Sequence, residues 1–83
     1  MDAKKERILK QFGENIRDFR KKKGLSQDEV VLNSDHITKG TISDIENGKR
    51  NLSFTTLIDL AKGLEVHPKE LFNFDFEKYK TAK

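Results

Sequence analysis

The chain has 83 residues, of which 37% are charged and 34% hydrophobic, and its formal net charge at pH 7 is +3. This length predicts one domain, which buries about 60 to 65% of the surface that it exposes when unfolded. The sequence contains no cysteine, which excludes disulfides and thiolate metal sites. No apolar run approaches a membrane span or a signal peptide, so we expect a cytoplasmic protein.

The positive charge is unevenly distributed along the sequence. Residues 1–24 contain nine Lys or Arg and four Asp or Glu, whereas the remaining residues contain eight and ten. An ordinary solvated helix face explains such a run, and charge alone favours that explanation over a polyanion partner.

The first predicted helix covers about residues 4–22. Its apolar residues recur at helical spacings of one, three and four, and they are Ile8, Leu9, Phe12, Ile16 and Phe19. Gly13 interrupts this stripe at a cost of roughly 1 kcal/mol relative to alanine. Gly13 either marks close packing of another helix or divides a weaker N-terminal extension from the helix proper. We take residues 1–9 as an extension of this helix and residues 10–73 as the domain.

A second helix begins after Ser26, which can cap it, with Glu29 as the capping-box partner. Its pattern fades in the turn-rich residues 33–35. His36 follows in the same turn and is more consistent with a polar turn residue than with a metal ligand, because no second ligand stands at a suitable spacing.

The third helix is short and well delimited. Thr38 can cap its start, Ile42 and Ile45 lie three apart on one face, and Asn47-Gly48 can end it. A helix this short is not stable alone in water, so we expect it to be pressed onto a scaffold. Its opposite face, which is then presented outward, carries Lys39, Gly40, Ser43 and Asp44, and the basic residues Lys49 and Arg50 follow at once.

Two further helices are predicted near the C-terminus. Ser53 caps a fourth helix that extends to about residue 64, and His67 with Pro68 starts a short fifth helix. The tail, residues 74–83, is ambiguous. Phe72, Phe74 and Phe76 alternate as in a strand, whereas Phe72, Phe76 and Tyr79 would share one helix face.

These motifs together resemble the phage-repressor, or Cro/Xre-like, helix-turn-helix family. The matching segments are Leu25-Ser26-Gln27-Asp28-Glu29, Thr41-Ile42-Ser43, Ile45-Glu46-Asn47-Gly48-Lys49-Arg50 and the two C-terminal helices, within residues 10–73. The resemblance implies an all-α, compact five-helix, lambda-repressor-like domain that binds duplex DNA as a homodimer on a palindromic operator. Its third helix, about residues 39–47, would lie in the major groove while the second crosses the backbone.

The resemblance also implies roles for individual residues. The positions that read base edges are Lys39, Gly40 and Asp44, with Ser43 as a lesser contributor. The positions that hold phosphates are Gln27, Thr38, Thr41, Asn47 and Lys49, with Arg50 beside them. Arg20 and Glu46 match positions that pair inside such domains and tie the first helix to the end of the recognition helix.

The sequence departs from the family pattern in two regions. The segment between Val30 and Thr41 is one residue longer than usual, which would tilt the recognition helix. Gly40 offers no side chain at a principal reading position, and Asp44 places a negative charge near phosphates. Direct readout therefore depends mainly on Lys39, with a correspondingly greater part for operator shape.

Three classes of function remain open at this stage. A sequence-specific transcriptional regulator without a ligand-binding domain is the first hypothesis, and a protein-interaction module or antitoxin-like partner binder is the second. An enzyme is the weakest, because two isolated histidines and no glycine-rich phosphate loop leave no site to assemble, so we expect no cofactor. For the dimer contact we predict Leu71, Phe72, Phe74, Phe76 and Tyr79, with the N-terminal helix as the other candidate surface.

Overall fold

The computed structural model describes residues 3–73, and all of its regular structure is helical. The helices are α1 (Ala3–Lys22), α2 (Gln27–Asn33), α3 (Lys39–Glu46) and α4 (Phe54–Gly63), followed by a 3-10 helix (Pro68–Phe72). The prediction of an all-α fold is confirmed for this range. The predicted fifth α-helix is corrected to a 3-10 helix, because five residues that start with a proline form a tighter, shorter turn. The predictions for Phe74, Phe76 and Tyr79 lie outside the described residues.

The predicted helix starts are confirmed by their caps. Ser26 Oγ accepts a hydrogen bond from the Glu29 backbone N–H at 3.0 Å, and Glu29 Oε1 accepts one from the Ser26 N–H at 2.9 Å. Both halves of the capping box are therefore present. Side chains also cap the next three helices, and these belong to Thr38, Ser53 and His67.

Gly13 marks a close crossing between α1 and α3. A Cβ atom at this position would collide with the Ile45 carbonyl oxygen and would lie 2.9 Å from that of Glu46. Helix α1 runs without a break through Gly13 and across residue 10. Close helix packing is therefore the correct one of the two explanations for this glycine.

Gly63 has the same role at a second crossing, between α4 and α2. A Cβ atom there would lie 2.6 Å from the Val30 carbonyl oxygen. A glycine near the end of a helix weakens it by roughly 1 kcal/mol relative to alanine, and helix propensity accounts for no more than that. Its packing role depends on Val30 of α2, which lies 33 residues earlier in the chain.

A single apolar core joins all the helices. Its largest fully buried side chains are Ile16, Val30, Ile42, Ile45, Leu60, Leu64 and Leu71. The prediction of Leu71 as a dimer contact is corrected by this burial, because a side chain with no exposed surface closes the monomer's core and is not available to a partner. Phe72, its neighbour, is 45% exposed and packs against Phe12 with ring centroids 6.2 Å apart.

Candidate nucleic-acid interface

Helix α3 is held by one face and presents the other. Ile42 and Ile45 are each 1% exposed and anchor the helix to the core. Lys39 and Gly40 are exposed, while Ser43 and Asp44 are half-buried. Thr38 caps the start of the helix, and its Oγ1 accepts from the Thr41 N–H at 3.2 Å. The four residues that the resemblance assigned to base edges therefore belong to one accessible helix.

The Lys39 ammonium faces a carboxylate of α2 that sequence reasoning missed. Lys39 Nζ lies 3.3 Å from Asp28 Oδ1, and both side chains are largely exposed. An exposed pair of this kind contributes about 0 to 1 kcal/mol and opens readily. Asp28 therefore orients Lys39 without preventing it from contacting another group.

Asp44 is paired in a similar way at the other end of the presented face. Its Oδ2 lies 3.3 Å from Arg50 Nη2, in the basic segment that follows the helix. The carboxylate is thus partly neutralised from within the protein. Asp44, which the resemblance assigned to base edges, and Arg50, which it assigned to phosphates, therefore form an ion pair with each other.

Glu46 is the buried acceptor that ties α3 to α1. Arg20 Nε donates to its Oε2 at 2.7 Å, and Arg20 Nη2 donates to its Oε1 at 3.1 Å. Burial alone would raise the pKa of Glu46, but the hydrogen bonds from Arg20, Gln27 and Arg17 outweigh it and lower the pKa below its usual range. The hydrogen bond to Glu46 in turn raises the pKa of Arg20.

Two of the predicted phosphate-binding amides are connected to this carboxylate, Gln27 directly and Asn47 through Arg17. Gln27 Nε2 donates to Glu46 Oε1 at 3.2 Å, while Asn47 Oδ1 accepts from Arg17 Nη2 at 2.9 Å. Gln27 Nε2 carries two hydrogens, so one remains for a phosphate oxygen. Asn47 Nδ2 also donates to the Ser43 carbonyl oxygen at 2.9 Å and to Ser43 Oγ at 3.5 Å, so a phosphate contact would replace the longer of these two bonds. Arg17 was missed, although its position three residues before Arg20, on one face of α1, was a usable signal.

Asp59 of α4 holds the turn between α2 and α3. Its carboxylate accepts three consecutive backbone N–H groups, from Asp35 at 2.7 Å, His36 at 2.8 Å and Ile37 at 3.1 Å. Burial would raise the pKa of Asp59, but these three hydrogen bonds prevail and lower it. Sequence reasoning missed this residue. The available signal was an acid within the apolar run of α4.

The segment after α3 turns tightly against α1. Gly48 has a φ of +70°, which an L side chain rarely adopts, and a Cβ atom there would lie 2.8 Å from Lys10 Cα. Lys49 and Arg50 follow on the surface. The predicted helix end at Asn47-Gly48 thus also determines the position of Lys49 and Arg50 relative to α3.

The described residues show neither a membrane helix nor a metal centre. Within residues 3–73, no helix combines the length and apolar character that crossing a bilayer requires. No group of three or more His, Asp or Glu side chains in that range could hold a metal ion.

Helices α2 and α3, with their intervening turn and a presented second helix, define a helix-turn-helix protein. The chain belongs to the helix-turn-helix family, whose model matches residues 16–71. The Cro/Xre-like resemblance is confirmed by this match. A curated relative, control protein C.BamHI of Bacillus amyloliquefaciens, is 38% identical over 64 residues, which cover 76% of this chain and 78% of the relative.

Solved structures of similar chains agree with this assignment. The restriction-modification controller protein C.AhdI from Aeromonas hydrophila superposes with a TM-score of 0.73 at 35% identity, covering 80% of this chain and 98% of that one. The controller protein C.Esp1396I, a tetramer in complex with its natural 35 base-pair operator, gives a TM-score of 0.71 at 32% identity. That match covers 78% of this chain and 84% of the C.Esp1396I chain.

Proposed function

We propose that this protein is a sequence-specific DNA-binding transcriptional regulator of the restriction-modification controller class, acting in the cytoplasm as a homodimer on a palindromic operator. One observation carries the proposal. Helix α3 is anchored by Ile42 and Ile45 and tied through Glu46 to α1, while its opposite face stays open. The controller protein C.Esp1396I, 32% identical to this chain, is in complex with its operator, which supports DNA binding by this chain as well.

In this proposal α3 lies in the major groove and α2 crosses the phosphate backbone. Lys39 donates to a base edge, for which guanine O6 and N7 are the best acceptors. Ser43 and Asp44 lie further along the groove, and Gly40 lets the backbone approach the bases closely. The phosphate contacts, which set register without reading sequence, come from Gln27, Thr38, Thr41, Asn47, Lys49 and Arg50.

We place the dimer contact at an apolar groove lined by α1, the start of α4 and the 3-10 helix. Phe54 is 75% exposed at its edge and Phe72 is 45% exposed. Leu9 and Leu57 line the same groove. Exposed aromatic side chains beside an apolar groove are typical of a protein contact rather than of free surface.

A second candidate function is a protein-interaction module in which DNA binding is secondary. The observation that favours it is Leu32 of α2, which is 83% exposed and lies on the helix that would face the DNA backbone. Phosphates offer an isobutyl group no favourable contact, whereas an apolar protein surface does.

Selection from a pool of random duplexes, at 50 and at 200 mM salt, tests the proposal. We expect enrichment of a palindrome whose half-sites lie about one helical turn apart. Affinity should fall by about 10³ to 10⁵ between the two salt concentrations if six to ten phosphates are contacted. Weak, sequence-blind binding with a flat salt dependence would overturn the regulator and favour the protein-interaction module.

A further inference from the structure

The turn between α2 and α3, residues 34–38, is held by a side chain from outside the helix-turn-helix motif. Three consecutive backbone N–H groups converge on the Asp59 carboxylate, which is 9% exposed. On the outer side of the same turn, Lys62 Nζ lies 2.7 Å from Asp35 Oδ1. Two residues of α4 thus contact the same turn: Asp59 binds its backbone and Lys62 binds the Asp35 side chain.

Helix α4 is itself fixed to α2. Gly63 packs directly on the Val30 backbone, and the Gly63 carbonyl oxygen accepts a hydrogen bond from Asn33 Nδ2 at 3.3 Å. Asp59 therefore connects the start of α3 to a rigid pair of helices. The other end of α3 is held separately by Glu46 and Arg20.

We propose that Asp59 is a positioning residue for DNA recognition, an inference that rests on the proposed function. With Glu46 anchoring the C-terminal end of α3, release of the turn lets the N-terminal end of the helix shift. Lys39 and Gly40 are at that end. Asp59 acts through the backbone of the turn, and it sets which base pair Lys39 reaches relative to the phosphates that α2 contacts.

The test compares Asp59→Asn with a control that loosens the core elsewhere. Asparagine has nearly the same shape, but its NH₂ group cannot accept the third backbone N–H. Val66→Ala is the control, because Val66 packs against the core beyond the end of α4. For each protein, binding is measured to the selected operator and to a scrambled duplex of equal length, with concentrations corrected for the folded fraction.

We expect the operator-to-scrambled affinity ratio to fall about tenfold or more in Asp59→Asn, which is the scale of one base contact. Affinity for the scrambled duplex should stay within about threefold, since its phosphate contacts tolerate small shifts. The ratio for Val66→Ala should equal that of the unmodified chain. A merely structural role would lower the folded fraction and leave the ratio unchanged.

An unchanged ratio in Asp59→Asn would overturn this inference alone. An unmodified chain that prefers no duplex would overturn the proposed function and this inference with it.

If Asp59→Asn does not fold, amide hydrogen exchange of the unmodified chain tests whether the turn is already held in place before DNA binds. We expect the N–H groups of Asp35, His36 and Ile37 to be protected already without DNA. Rapid exchange that slows only when the operator binds would show that the turn is not positioned in advance.

Discussion

Arg20 and Glu46, 26 residues apart, join the first helix to the end of the recognition helix through two hydrogen bonds of 2.7 and 3.1 Å. Glu46 also accepts from Gln27 of α2. One buried carboxylate is therefore shared by the helix that supports the fold and by both helices of the helix-turn-helix. Its loss would disturb stability and the DNA-facing surface together.

Replacing Arg20 should be costly because it leaves a buried charge with weaker partners. Its side chain is 12% exposed and that of Glu46 is 1% exposed. We expect Arg20→Met to lower the free energy of unfolding by about 3 kcal/mol. Urea denaturation measures this change. Arg17→Met is the control, since Arg17 is 38% exposed and lies 3.4 Å from Glu46, and it should cost about 1 kcal/mol or less. Equal losses would contradict the assignment of Arg20 as the principal partner.

Two helical glycines should respond to alanine in opposite directions. Gly13→Ala pushes a methyl group into the backbone of α3, and we expect a loss of about 1 to 3 kcal/mol in unfolding free energy despite the better helix propensity. At Gly40 the nearest atom to a new Cβ is Thr38 Oγ1 at 3.9 Å. Gly40→Ala should therefore stabilise the chain by up to about 1 kcal/mol. Thermal denaturation distinguishes the two, and stabilisation by Gly13→Ala would exclude the close crossing.

Acid should destabilise the fold through Glu46 and Asp59. Both carboxyl groups have a pKa lowered in the folded chain, by Arg20, Gln27 and Arg17 in one case and by three backbone N–H groups and His36 in the other. Between the folded and unfolded pKa values the unfolded chain binds more protons, so stability rises with pH. The full contribution is present above the ordinary carboxyl pKa of about 4 and is lost as pH falls through the lowered values.

Urea denaturation at several pH values between about 2.5 and 7, a range that includes the ordinary carboxyl pKa of about 4, should show this decline in the free energy of unfolding. Asp59→Asn should flatten the curve relative to the unmodified chain, because the titrating group is removed. His36, Asp35 and Lys62 lie around Asp59 and remain in that variant. If stability depends on pH with the same slope in Asp59→Asn and in the unmodified chain, the pKa of Asp59 is not lowered by folding.

Lys39 and Lys49 should differ in what they contribute to DNA binding. Lys39→Ala removes a base contact, so we expect about 1 to 3 kcal/mol of lost discrimination at one base pair. Lys49→Ala removes a phosphate contact, which should weaken all duplexes alike and reduce the salt slope by about 0.9. Binding to single-base operator variants over a range of salt measures both quantities. If Lys49→Ala lost discrimination between operator variants and Lys39→Ala did not, the two assigned roles would be reversed.

The dimer contact is tested with two exposed apolar residues on different surfaces. Phe54→Ala should weaken dimerisation about tenfold or more, because a large aromatic side chain at the groove is removed. Leu32→Ala, at a comparably exposed residue of α2, should leave the dimer unchanged. Sedimentation equilibrium provides the dissociation constants. The reverse pattern would place the contact on α2 instead.

Short-range features of this fold were predictable from the sequence, and the caps are the clearest case. Ser26, Thr38 and Ser53 each accept the backbone N–H three residues further on. Such bonds depend only on the residues within one turn. The buried stripe of α3 was predictable for the same reason, since Ile42 and Ile45 share a face by helical periodicity alone.

Other predictions failed where a feature depended on distant packing. Phe72 and Leu71 are neighbours in sequence, yet one is 45% exposed and the other fully buried. Periodicity marks both as apolar but cannot say which one the core absorbs, because the 3-10 helix rotates side chains differently from an α-helix. Asp28 and Arg17 had no assigned role either, since their partners belong to other helices.

The sequence by itself determined where the helices begin, which faces are apolar and that α3 is presented, because these follow from contacts within three or four residues. Only the tertiary structure decided that Asp59 holds the turn, that Arg17 joins Glu46 and that Gly63 is a crossing point. Those contacts span 22 to 33 residues. They form only after α1, α2 and α4 have packed around one core, so local pattern can mark residues such as Arg17 and Asp59 as unusual but does not identify their partners.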